Sequence, residues 1–168
     1  MDLYLLRHGL AGEADRHLYP DDRLRPLTSI GEEKLRLQTS AMKRLGMSFA
    51  AILYSPLLRT RQTAEVIARE MDRTSALRSE DQLAPAGDNR VLIEIVRTEL
   101  LRSQSVLLVG HEPNLGELCS MLICGRMDAA IRFKKGGLAH LEVDRSVAVG
   151  RSAILRSLLT PAQLLRMV

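Results

Sequence analysis

Three short, unbroken apolar runs mark the chain: Leu3-Tyr4-Leu5-Leu6, Ala51-Ile52-Leu53-Tyr54 and Val106-Leu107-Leu108-Val109. A strand with one wet face alternates apolar and polar positions, whereas a strand covered on both faces is apolar throughout. These runs therefore predict buried strands. Each is followed by polar or glycine-containing punctuation and then by apolar residues at helical spacing. Ser29-Ile30-Gly31-Glu32 reads as a capping box opening a helix to about Leu45, with Leu35, Met42 and Leu45 on one face. Ala64, Ile67, Ala68 and Met71 mark a second helix, and Asp88 caps a third that runs to about Arg102. Leu115, Leu118, Cys119 and Leu122 stripe a fourth, and Thr160-Pro161 supplies a cap and an N-terminal proline for the last. From about Ala129 to Leu155 the pattern alternates as in two or three strands, with Gly136-Gly137 as a turn.

Strands alternating with helices predict a mostly parallel sheet covered on both faces. No repeat, low-complexity tract or linker divides the 168 residues, and the length predicts a single domain, 1–168, with a sizeable core. Hydrophobic residues make up 46% and charged residues 26%, which is globular composition and argues against disorder. No apolar run is long enough to cross a bilayer, and Met1-Asp2-Leu3 lacks the basic stretch of a secretory signal, so the expected compartment is the cytoplasm. Cys119 and Cys124 have no accompanying ligand groups and read as buried, inert thiols.

The net charge of +4, with arginine far outnumbering lysine, favours an anionic partner without choosing among phosphate, nucleic acid and an acidic protein. Three Tyr, two Phe and no Trp leave few stacking platforms, which disfavours nucleic acid. The end of each buried strand is more informative, because ligands of parallel sheets gather beyond the carboxyl ends of the strands. The first run leads into Arg7-His8-Gly9, the second into Ser55-Pro56-Leu57-Leu58-Arg59-Thr60-Arg61, and the third into Gly110-His111-Glu112-Pro113-Asn114. If the three strands are parallel neighbours, His8, His111, Arg7 and Arg59 share one edge. Two fixed cations and two imidazoles are costly together unless an anion offsets them, and guanidinium forks match phosphoryl oxygens. Helix N-termini after Ser55 and His111 add backbone donors. A neutral imidazole is a competent nucleophile toward phosphorus, with the arginines stabilising the equatorial oxygens. Carboxylates at ligand spacing are missing near the histidines, and the arginines repel a divalent cation, so neither a metal nor another cofactor is expected.

Five segments in this order resemble the histidine phosphatase superfamily, with its phosphoglycerate mutase-like fold, and within it the short SixA-like phosphohistidine phosphatases. They are Leu5-Leu6-Arg7-His8-Gly9; Arg25-Pro26-Leu27-Thr28 with Gly31; Ser55-Pro56 to Gln62-Thr63-Ala64; Val109-Gly110-His111-Glu112-Pro113-Asn114-Leu115; and Phe133-Lys134-Lys135-Gly136-Gly137. The resemblance implies an α/β/α three-layer sandwich around a mostly parallel sheet. It also implies that His8 is the phosphorylated nucleophile, that Arg7 and Arg59 bind the phosphoryl group, and that His111 binds and polarises it. Larger members of the family carry an acid that protonates an ester leaving group, a pattern missing from Arg78 to Asp88, although Glu80, Asp81 and Asp88 are candidates. A phosphoramidate needs less acid help than an alkyl ester. Short length implies an open pocket unless Ala11 to Leu24 folds over the rim. Both features favour a phosphohistidine-bearing protein, such as a phosphotransfer domain, as the partner, over a small sugar or nucleotide phosphate. A non-catalytic phosphate or nucleic-acid binding module is a third reading, disfavoured because recognition needs no nucleophile.

Other charged residues read as structural. Arg61 is a surface residue, His17 lies in a polar loop, and His140 alternates with Leu138 and Leu141 in a strand. Arg16, Arg23 and Arg25 form a solvated basic loop with Arg25 paired internally, and Lys134-Lys135 is a strand-end charge pair. Oligomeric state has no sequence signature.

Overall fold

Leu3 to Leu6 and Val106 to Val109 lie side by side at the centre of a six-stranded sheet, and every side chain of both runs is buried. A computed structural model describes residues 1–168. The strands are β1 (Asp2–Arg7), β2 (Ala51–Tyr54), β3 (Leu77–Ser79), β4 (Ser105–Gly110), β5 (Leu138–Val143) and β6 (Ala153–Leu159). The helices are α1 (Ser29–Arg44), α2 (Leu58–Glu70), α3 (Asn89–Ser103), α4 (Asn114–Cys124) and α5 (Pro161–Leu165). The sheet order is β3-β2-β4-β1-β5-β6; the first four strands are parallel, and β5 and β6 form an antiparallel pair added beside β1.

Successive side chains of a strand point to opposite faces, and β1 divides accordingly. Leu3 and Leu5 join Leu92, Val96, Leu115 and Leu118 of α3 and α4, while Tyr4 and Leu6 join Met42, Ala64, Ile67 and Leu164 of α1, α2 and α5. The result is the expected α/β/α sandwich. Truncating any such fully buried leucine to alanine costs about 2–5 kcal/mol. No helix is long and apolar enough to cross a membrane.

Several local expectations are corrected. The cap of α1 is Thr28, whose hydroxyl accepts from Gly31 N at 3.0 Å, and Ser29 is already helical. Leu45 follows the last helical residue where the chain turns away at Gly46, so it is 46% exposed instead of sharing the face of Leu35 and Met42. Strand β3 gave no periodicity because it has three residues at a sheet edge, none of them buried. Cys119 is buried, with its thiol pushed up to about 12 chiefly by burial, but Cys124 ends α4 and is exposed.

The stretch before β5 contains no strand; it is fastened to the end of β1. Gly136 N donates to Arg7 O at 3.0 Å and His8 O at 2.9 Å, and Arg7 N donates to Gly137 O at 3.1 Å. This close approach is made at φ +77°, which glycine adopts without a side-chain penalty.

Candidate active site

Sheet register decides where the candidate residues fall. Arg7 pairs with Gly110 across β1 and β4, so the next residue on each strand is a histidine. His8 N donates to Gly110 O, and Ser55 N, just past β2, donates to Val109 O, both at 3.1 Å. His8, His111 and Ser55 therefore meet at one carboxyl edge, with the two imidazole centroids 5.3 Å apart. The histidines are 4% and 3% exposed.

A carbonyl oxygen can only accept, so the 2.8 Å contact between His8 Nδ1 and Gly9 O places the proton on Nδ1 and leaves the Nε2 lone pair free. Burial, followed by the neighbouring His111, Arg59 and Arg7, pushes the His8 ring down to about 3 despite the opposing bond to Gly9 O. His111 is pushed down to about 3 by burial and then by Arg59. Both rings are neutral near pH 7. His111 Nε2 lies 2.9 Å from Ser55 Oγ.

The arginines come from different elements. Arg7 ends β1, and its Nη1 donates to Phe133 O at 2.7 Å. Arg59, in the first turn of α2, is 4% exposed. Its Nη1 donates to Asp22 O at 2.8 Å, and its Nη2 lies 3.1 Å from Asp22 Oδ2. Asp22 also binds Arg25 Nε at 2.7 Å, and Arg25 Nη1 donates to Gly12 O at 2.7 Å. Arg25, on top of a helical turn at Asp22–Leu24, holds Asp22 well below the usual carboxylate range and thus charged. The Nε atoms of Arg7 and Arg59 are buried without a partner. Each unsatisfied donor costs about 1–3 kcal/mol, which an oxyanion accepting from it would offset.

Two polar residues of the α2 block, Gln62 and Thr63, are fasteners. Thr63 Oγ1 accepts from Gly9 N at 3.0 Å and donates to Arg59 O at 2.7 Å, tying the end of β1 to the helix that carries Arg59. Gln62 Oε1 accepts from Leu27 N at 2.8 Å and so holds the Arg25-Pro26-Leu27 segment. Arg61 points away and pairs with Glu65 at 3.3 Å.

The structure thus gathers His8, His111, Arg7 and Arg59. It does not bring the candidate acids to them. Glu80 and Asp88 accept from the backbone N–H groups of Gln82 and Arg90, and Asp81 opens a short helical turn. The carboxylate in contact with a site arginine is Asp22, within Ala11 to Leu24, the segment whose folding over the rim is the exception to an open pocket. Ser55, Asp22 and Thr63 have no sequence signal of their own, because their spacing from the histidines and arginines does not reveal a through-space partner. His17 is exposed, while His140 pairs with Asp2 at 2.7 Å and stacks on Tyr4. No three His, Cys, Asp or Glu side chains converge to hold a metal ion. A cleft of about 590 Å³ lined by Arg7, Glu112, Glu117, Asp128, Arg132 and Phe133 borders the site at Arg7; the histidines themselves lie outside it.

Neutral imidazoles and unpartnered guanidinium donors thus meet at the carboxyl ends of parallel strands on an α/β/α scaffold, a donor set suited to an oxyanion. The profile of the histidine phosphatase superfamily (branch 1) matches residues 3–84. An uncharacterised protein of Picosynechococcus is 39% identical over 146 residues, 84% of each chain. The chain belongs to the histidine phosphatase superfamily. Phosphohistidine phosphatase SixA of Escherichia coli is 28% identical over 149 residues, 87% of this chain and 88% of that one. A structure of the protein histidine phosphatase SixA with tungstate superposes with a TM-score of 0.86 at 26% identity, covering 98% of this chain and 99% of that one. The fold also matches a putative α-ribazole-5′-P phosphatase of Escherichia coli, with a TM-score of 0.73 at 22% identity over 96% and 97% of the two chains.

Proposed function

We propose that this protein hydrolyses protein phosphohistidine through a covalent phospho-His8 intermediate. The observation that carries this reading is the His8 ring itself: neutral, with Nδ1–H bound to Gly9 O and the Nε2 lone pair free, beside two guanidinium groups whose Nε donors are unpartnered. Nε2 attacks phosphorus in line with the departing imidazole. The substrate's P–N electron pair leaves with that ring, which arrives protonated on its other nitrogen and departs neutral. Arg7, Arg59 and His111 hold the equatorial oxygens. The His8 ring becomes cationic as it gains the phosphoryl group, and Gly9 O accepting from Nδ1–H stabilises that charge. Water then attacks phosphorus as the P–N electron pair returns to Nε2; both protons of the water stay with the released phosphate, and His8 returns to neutral.

Two features support a phosphoramidate over an ester. Glu80, Asp81 and Asp88 make no hydrogen bond to the four residues, and Asp22 is held charged by Arg25 and Arg59, so it is a poor proton donor to an alkoxide. The residues from β1 to β6 share one sheet, which supports reading 1–168 as a single domain; the partner proposed for it is a phosphohistidine-bearing protein of the cytoplasm. The test is direct. Mixed with a phosphohistidine protein, the wild type releases phosphate and yields an acid-labile, base-stable label on His8, while folded His8→Ala does neither. Turnover by folded His8→Ala refutes the nucleophile, and strong preference for one small phosphate ester refutes the substrate class.

A further inference from the structure

Arg7 and Arg59 carry the same charge into the same pocket, yet they are held in different ways. Arg59 touches a carboxylate directly, through Asp22. Arg7 touches none; its Nη1 donates to a neutral backbone oxygen, Phe133 O, at 2.7 Å. The other end of that residue is gripped as well, because Phe133 N donates to Glu112 Oε1 at 2.6 Å. Glu112 directly follows His111; burial pushes its half-buried carboxyl up, against the opposing bond from Phe133 N and the positive charge of Arg7.

We propose that Glu112 is a positioning residue for Arg7, acting through the backbone of Phe133: the carboxylate fixes Phe133 N, and Phe133 O fixes the guanidinium. This rests on the reading of Arg7 as a phosphoryl ligand. A carboxylate in direct contact competes with an incoming phosphoryl group for the same donors. Placed one residue away, it orients the arginine and leaves the remaining donors, including the unpartnered Nε, for the substrate. The segment bearing Phe133 suits a clamp. Ser120 Oγ accepts from Ala129 N at 3.1 Å, and the Phe133 ring is 2% exposed in the core under β1. Ile131 O sits so close to α4 that a Cβ on Gly116 would come within 2.2 Å of it. Beyond Phe133, Gly136 N reaches the carbonyls of Arg7 and His8. The segment is thus anchored on both sides of the residue that holds Arg7, and Glu112 supplies the remaining tie.

The experiment measures the affinity of inorganic phosphate by calorimetry for wild type, Glu112→Ala, Glu112→Asp, Glu112→Gln, Arg7→Ala and Arg7→Ala/Glu112→Ala, with thermal unfolding of each. Glu112→Ala and the too-short Glu112→Asp are expected to weaken phosphate about tenfold, the loss of one charge-assisted hydrogen bond's worth of alignment. Glu112→Gln keeps an acceptor for Phe133 N and binds phosphate no more weakly than wild type. In the Arg7→Ala background Glu112→Ala adds nothing, because the residue through which it acts is gone. If Glu112→Ala does not fold, the Asp and Gln variants carry the same contrast. A purely structural role would lower the melting temperature and leave phosphate affinity of the folded protein unchanged, which overturns the proposal. Equal weakening by Glu112→Ala with and without Arg7 also overturns it. If Arg7→Ala itself leaves phosphate affinity unchanged, the ligand reading of Arg7 falls and takes this proposal with it. If Arg7→Ala weakens phosphate and Glu112→Ala does not, the positioning role alone falls.

Discussion

Lowering the pH from 7 to 5 should destabilise this protein through His8 and His111, by an amount that follows from their burial. Both rings are nearly inaccessible, and each is pushed from 6.5 down to about 3. In the unfolded chain they regain the ordinary value, so between pH 7 and 5 each takes up a proton when unfolded and remains neutral when folded. The unfolded state then binds more protons, and stability falls with pH. The sign is that of any group whose folded value is depressed: the stabilisation is complete above 6.5 and is lost as pH falls toward 3. Integrating over these two pH units gives about 2 kcal/mol for each histidine, a figure that holds for any folded value well below 5. Against a typical total of about 5–15 kcal/mol this is large. Urea unfolding of wild type, His8→Asn and His111→Asn at both pH values isolates it, since every other ionisable group is common to all three. Wild type should lose about 2 kcal/mol more than either variant. Equal losses would show that the rings are protonated in the folded state, and the free Nε2 lone pair of His8 would go with them. The same burial implies that kcat/KM shows no decline near pH 6.5 attributable to His8.

Asp22→Asn removes the negative charge beside Arg59 while the 2.8 Å contact to the backbone oxygen of residue 22 stays, so inorganic phosphate should inhibit about fivefold more tightly in steady-state assays. Weaker inhibition would mean that Asp22 orients Arg59 more than it competes for it. Ser55→Ala strips the buried His111 Nε2 of its partner at 2.9 Å, so kcat is expected to fall about tenfold and denaturant unfolding to register a loss of about 1–3 kcal/mol. Gly31→Ala should destabilise α1 although alanine favours helices, because the added Cβ lands 2.1 Å from Leu10 O. Denaturant unfolding should register a loss of about 1–3 kcal/mol.

Local physics was legible in the chain. Unbroken apolar runs gave β1, β2 and β4, helical spacing gave α1, α2 and α4, and the Asp88 and Thr160-Pro161 caps gave α3 and α5, because burial pattern and capping depend on neighbours a few residues apart. The residue types Arg7, His8, Arg59 and His111 were identifiable for a related reason: each follows a buried strand, and strand ends converge once the strands are parallel. What the chain could not display is contact across the fold. Leu45 fits its helical stripe but falls where the helix ends, and Cys124, read as a buried thiol, closes α4 off the stripe, so both are exposed. Glu80 and Asp88 had the chemistry of an acid, yet their carboxylates cap neighbouring backbone N–H groups. Asp22 lies 37 residues from Arg59, and Phe133 lies 126 from Arg7. Only the order β3-β2-β4-β1-β5-β6 brings such distant groups within hydrogen-bonding reach. Residue identity set the chemistry on offer, and tertiary packing decided which donor, acceptor and charge each group would face.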